Sequence, residues 1–88
     1  MKKSQKELKQ DIEAAARQVA IGGIYVHYKS TDMRYKIIDL AINTEGAEVC
    51  VIYKSLYDEQ IVFVRSLREW LDIVELDGVK RKRFTLID

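Results

Sequence analysis

The spacing of hydrophobic positions changes once along this chain, near residue 22. From Gln5 to Ala20, the residues Leu8, Ile12, Ala15, Ala16 and Val19 recur at three- and four-residue steps, while Lys6, Lys9, Glu13 and Arg17 fall on the other side. That period predicts a helix with one apolar stripe. Ser4 and Glu7 have capping-box spacing, in which each side chain satisfies a backbone donor at the helix start, and Gly22-Gly23 marks the end. An isolated short helix is marginal, so the stripe must be covered. Packing on a sheet is one way; a homodimer through this N-terminal helix is the other.

After Gly23 the period becomes two. Ile24, Val26 and Tyr28 alternate with Tyr25, His27 and Lys29, which predicts a strand with an apolar inner face and a polar aromatic outer one. Ser30 to Arg34 reads as a polar turn, Tyr35 to Ile42 as a second strand, and residues 43–46 as a hairpin loop ending in glycine. Ala47 to Lys54 is apolar on both faces and therefore central. Gln60 to Arg65 is a fourth strand, and Ser66 and Glu69 repeat the capping spacing over one helical turn that sends Trp70 and Leu71 into the core. Ile73 to Leu76 and the residues from Val79 form a hairpin around Asp77-Gly78, and Phe84, Leu86 and Ile87 end the chain as strand. The expected fold is α+β and mostly β. A helical segment, 1–22, precedes one compact β unit, 23–88, built as a small SH3-like barrel or a strongly bent antiparallel sheet of five to six strands.

Size and charge narrow the chemistry. A chain of 88 residues forms one domain that buries only about 60–65% of its unfolded surface, so a site must be a groove, a loop cluster or a subunit interface. Fifteen basic residues against fourteen acidic ones give a net charge of +1, too little for a field spread over the whole domain. An anion site has to be local. Cys50 is the one cysteine and sits on an apolar strand with no neighbouring cation, so it reads as an inert core thiol in a reducing compartment. With no apolar run of about 20 residues and a polar stretch from Met1 to Lys9, the expectation is a cytoplasmic chain without a membrane partner.

Several side chains remain as candidates for binding. His27, the single histidine, lies between Tyr25 and Lys29 on one strand face, where an imidazole can donate to an anion or a base edge, or pack on a neighbouring aromatic instead. It cannot build a metal site alone, and no cofactor is expected. Arg65 precedes the helical turn and can clamp a phosphate or carboxylate, or pair with Glu69, Asp72 or Glu75 to fix the turn. Lys80 to Arg83 forms a basic run whose members point to alternate sides, the pattern of a solvated strand edge. Tyr25, Tyr53, Tyr57 and Trp70 offer aromatic faces, and alternation leaves Tyr25 and Tyr57 as the surface pair.

Gly23, Tyr25, His27-Tyr28-Lys29, Val51, Tyr53-Lys54, Leu56-Tyr57, Val64-Arg65, Asp77-Gly78 and Arg83-Phe84 resemble the pattern of DUF1653, a family of short bacterial domains of unknown function. That pattern has a glycine and a proline where this chain has Ser30 and Ser66, both in turns. The resemblance implies a small, mostly β domain and brings no activity with it. Taken together, these residues lead us to expect a non-catalytic binding module. Its site groups Tyr25, His27, Lys29, Tyr57, Arg65 and Arg83 around an anionic ligand such as nucleic acid, a nucleotide or an acidic peptide. A structural or homo-oligomerising accessory protein is the alternative, and a small enzyme using His27 the third reading.

Overall fold

The computed structural model describes residues 2–88; Met1, the first residue of the polar N-terminal stretch, lies outside them. Helix α1 spans Gln5–Ala16, opened by the expected capping box: the Ser4 hydroxyl accepts from Glu7 N–H while the Glu7 carboxylate accepts from Ser4 N–H. The helix stops a turn earlier than the glycine pair suggests, at a cap on Arg17, yet Val19 still reaches the core from the following turn. Leu8, Ala15 and Val19 are buried, and α1 packs on the strands β2 (Ser30–Asn43) and β3 (Glu48–Ser55). The stripe is thus covered by the sheet except at Ala16, which was expected in it but lies on the exposed side of the helix.

With β1 (Ile24–His27), β4 (Val62–Ser66) and β7 (Phe84–Leu86), these strands form one antiparallel sheet in the order β4-β3-β2-β1-β7. Between β4 and β7 the chain forms a one-turn helix α2 (Leu67–Trp70) and a separate two-stranded hairpin, β5 (Ile73–Leu76) with β6 (Val79–Lys82). Among the described residues no pairing joins β4 to β7, so the sheet is open. The hairpin turn is the predicted one, with Asp77 and Gly78 both at positive φ (52° and 77°), as a two-residue turn of that hand requires.

The second strand is longer than its sequence suggests. Ser30 to Arg34 belongs to the strand, and Tyr28-Lys29 makes the turn back from β1. A strict period of two would bring Asp39 inward after Ile37. A bulge between Ile37 and Asp39 inserts Ile38, resets the alternation and brings Leu40 inward instead, with Ile37 and Leu40 both buried and Asp39 outside accepting from Leu40 N–H at 2.7 Å. One charged side chain is kept out of the core by one extra residue.

Strand β1 faces the opposite way from the expectation. Tyr25 is 6% exposed and points inward, while Ile24 and Val26 are half-buried on the other face. The tyrosine tolerates burial because its hydroxyl accepts from Ala20 N–H at 2.8 Å, satisfying both the phenol and a donor left free after the helix. Its ring meets Trp70 edge-on at 5.2 Å. Trp70 is the largest fully buried side chain: it stacks on Phe84 at 3.8 Å with planes 5° apart and takes Tyr53 edge-on at 4.9 Å. Leu71, expected beside it, caps α2 and is exposed. Because α2 is one turn long, only one of two adjacent residues can face the sheet.

Gly23 shows how closely the segments approach. A methyl group there would meet Leu86 Cδ1 at 2.8 Å and the Ala20 carbonyl oxygen at 2.9 Å. Gly23→Ala should therefore cost about 1–3 kcal/mol through overpacking, and Trp70→Ala about 3–5 kcal/mol through the cavity it leaves. Both are read from urea unfolding curves.

Candidate functional site

Pairing puts a row of rings on the inner face of the sheet. Tyr25 lies opposite Tyr35, His27 opposite Phe84, Ile37 opposite Tyr53, and Tyr53 opposite Phe63. α1 covers one part of that face through β2 and β3. Elsewhere the row includes His27, Tyr35, Tyr57 and Arg65, all half-buried.

Phe84 is the hub of this region. His27 meets its ring edge-on at 5.1 Å, Tyr35 at 5.8 Å, and the Arg65 guanidinium carbon lies 5.6 Å from its centroid. Arg65 is further held by Tyr53, whose hydroxyl accepts from Nε at 3.4 Å, and by Glu69 at 3.4 Å. Arg83 donates through Nε to the Glu69 carbonyl at 3.1 Å and pairs with Asp72 at 3.4 Å. The expected Ser66–Glu69 capping box is formed on one side only: Ser66 Oγ accepts from Glu69 N–H while the Glu69 carboxylate turns to Arg65. The two arginines hold the turn before β5 against the sheet.

His27 Nδ1 accepts the Lys29 N–H at 3.3 Å, which fixes the tautomer with the proton on Nε2. Burial keeps the imidazole below its ordinary value of 6.5, and Arg65, Lys29 and Arg83 add to the effect in that order. The charged groups acting on His27 are thus cations, and the ring is neutral at pH 7 with Nε2–H as its donor. Tyr35 and Tyr57 share a 2.6 Å hydrogen bond. Burial, then that bond, raises Tyr35 above the usual phenol range, so its hydroxyl stays protonated. The arrangement offers hydrogen-bond donors and ring faces; among the described residues no carboxylate pairs with the imidazole.

Of the six expected site residues, Arg65, Lys29 and Arg83 act electrostatically on His27, and Tyr57 reaches this region through its hydrogen bond to Tyr35. Tyr25 does not; it is a core residue under Trp70. Tyr35 and Phe84 were missed as members of the ring row, although Tyr35 has the same alternation as the buried Ile37. The basic run is also more than a free edge: Arg81 and Lys82 line, with His27, Tyr28 and Thr31, a cleft of about 470 Å3. Among the described residues no cluster of three or more His, Cys, Asp or Glu side chains is arranged for a metal ion, and no helix is long and apolar enough to cross a membrane.

The comparisons agree with this architecture. The model of the protein family of unknown function DUF1653 matches residues 23–86, which contain all of β1 to β7 and the ring row. The chain belongs to that family. It is similar in structure to a DUF1653 protein from Bordetella bronchiseptica, solved by crystallography, at 32% identity and a TM-score of 0.68 over 80% of this chain and 90% of that one. No curated relative matches.

Two expectations follow from the electrostatics. Because the folded state holds His27 below 6.5, the unfolded chain takes up the proton first as pH falls. The contribution of neutral His27 to stability is complete above about pH 6.5 and is lost as pH falls through the lower folded value; His27→Gln should flatten this part of the stability profile. Cys50 is buried and its thiol is pushed up by burial and by Glu48. A thiol reagent should therefore label native protein far more slowly than protein in urea; equal rates would disprove the core placement.

Proposed function

We propose that this chain is a non-catalytic binding module of SH3-like, partly open barrel form, which takes an anionic ligand such as a nucleotide or single-stranded nucleic acid beside His27. The barrel reading is supported by the strand order β4-β3-β2-β1-β7 and by one long bulged strand that pairs with both β1 and β3. The observation that carries the binding reading is the hydrogen bond that His27 Nδ1 accepts from Lys29 N–H, which places the ring proton on Nε2. A neutral imidazole with its proton on Nε2 sits within the influence of Lys29, Arg65 and Arg83, beside a cleft lined by Arg81 and Lys82. A phosphate there would accept from Nε2–H and balance cations that Glu69 and Asp72 neutralise only in part. The half-buried rings of Tyr28 and Tyr57 add aromatic surface on which a base could stack.

The test is an NMR titration at low ionic strength with inorganic phosphate, ATP and a short single-stranded DNA. Binding should move the resonances of residues 25–29 and 63–68 and raise the midpoint of His27 titration, since a bound anion favours the imidazolium. Arg65→Ala should weaken binding by about tenfold, while Lys9→Ala on the outer face of α1 leaves it unchanged; added salt should weaken it throughout. If none of the three probes moves these resonances, Arg65 and Arg83 serve only to pin the turn, and the module reading fails.

A further inference from the structure

Strand β4 is an edge with none of the usual protection. Edge strands are ordinarily kept short or blunted by lysine, proline or a bulge. Here β6, in the separate hairpin, carries Lys80, Arg81 and Lys82, and β7 has three residues, but β4 reads Val-Phe-Val before its first charge. Val62 and Val64 are 55% and 64% exposed. Their backbone is free as well. Ser55 N–H donates to the Ile61 carbonyl at 3.0 Å, so by antiparallel alternation Ile61, Phe63 and Arg65 bond to β3. The N–H and C=O groups of Val62 and Val64 consequently point away from the sheet.

We propose that β4 pairs with β4 of a second copy of this chain, in antiparallel register about a two-fold axis through Phe63. The register is self-complementary: Val62 and Val64 of one copy exchange both bonds with Val64 and Val62 of the other, and every outward group between them is used. Facing Phe63 side chains, 43% exposed in the single chain, meet across the axis at a non-hydrogen-bonded pair, where side chains lie closest. On the opposite face Val62 and Val64 extend the apolar surface that begins with exposed Ile38 and half-buried Ile52. Charge selects the orientation and the occupant. Asp58 and Glu59 precede the strand and Arg68 follows it, with its side chain 83% exposed and held only by a 3.7 Å contact to Glu48. Antiparallel pairing of two copies brings the acidic approach of each toward the basic exit of the other, whereas parallel pairing sets like against like. Leu8, Ala15 and Val19 of the helix stripe are buried in the single chain, whereas the β4 edge has both its backbone groups and its valines open to a second copy.

Sedimentation equilibrium of the full chain, with hydrogen exchange at two concentrations, tests the pairing. The wild type should dimerise reversibly, and the Val62 and Val64 amides should be protected at high concentration and exchange quickly on dilution, while Phe63 and Arg65 stay protected at both. Val64→Lys should weaken association by at least about tenfold, with its far-ultraviolet spectrum intact, and Arg68→Glu should weaken it less. Ala16→Lys, on the exposed face of α1, should leave it unchanged. A chain that stays monomeric to about 1 mM, including one that pairs only with a foreign strand, overturns the proposal. So does a dimer in which the Val62 and Val64 amides exchange freely, or one broken by Ala16→Lys and not by Val64→Lys. The exchange measurement uses the wild type, so it decides even if Val64→Lys does not fold.

Discussion

The stack of Trp70 on Phe84 ties together parts of the chain that the sheet alone leaves apart. Phe84 lies on an outer strand, and Trp70 on a one-turn helix that cannot stand without tertiary support. At 3.8 Å and nearly parallel, the two rings bring the segment after β4 over the sheet. Tyr25 and Tyr53 then close on the indole edge-on, the arrangement aromatic quadrupoles favour. With a core this small, one large ring carries a considerable share of the buried area.

The candidate site is a consequence of that same stack. Phe84, fixed by Trp70 on one side, presents its ring to His27, Tyr35 and Arg65 on others. The turn after Trp70 brings Glu69 and Asp72 to Arg65 and Arg83. The two arginines therefore have a structural duty, and the carboxylates that hold them limit how much positive charge the surface offers. The histidine differs. Its Nδ1 is occupied by a local backbone donor and its proton points elsewhere, an arrangement that leaves a donor ready without a charge to desolvate.

A chain with near-balanced charge and an open sheet uses its two faces and its edges differently. The inner face is closed by α1 over β2 and β3 and by the aromatic cluster near Trp70, which leaves the histidine end accessible. The outer face is richer in lysine around Lys36 and Lys54 and apolar around Ile38 and Ile52. Cationic hairpin and short final strand discourage pairing, and β4 does not, so the proposed anion site and the proposed pairing edge lie in separate regions, with Arg65 common to both.

Local signals in the sequence determined the elements whose causes are local. The Ser4–Glu7 box started the helix, Asp77-Gly78 made the tight turn, and the doubly apolar run through Val51 was indeed central, because capping, positive φ and burial on both faces depend on residues a few positions apart. The family likeness was legible in the same way, in short clusters such as His27-Tyr28-Lys29. Only the tertiary structure decided which face of β1 turned inward. Ile24 and Val26 have the more apolar side chains, but Tyr25 finds both Trp70 and an unpaired Ala20 N–H, partners invisible to alternation. The bulge at Ile38 is of the same kind: excluding Asp39 and burying Leu40 is a requirement of the packed core, met by breaking the period on which sequence reading relies. The meeting of His27 with Arg65 and Arg83 required the sheet order itself, because residues so far apart in the chain become neighbours only when Phe84 is laid beside β1.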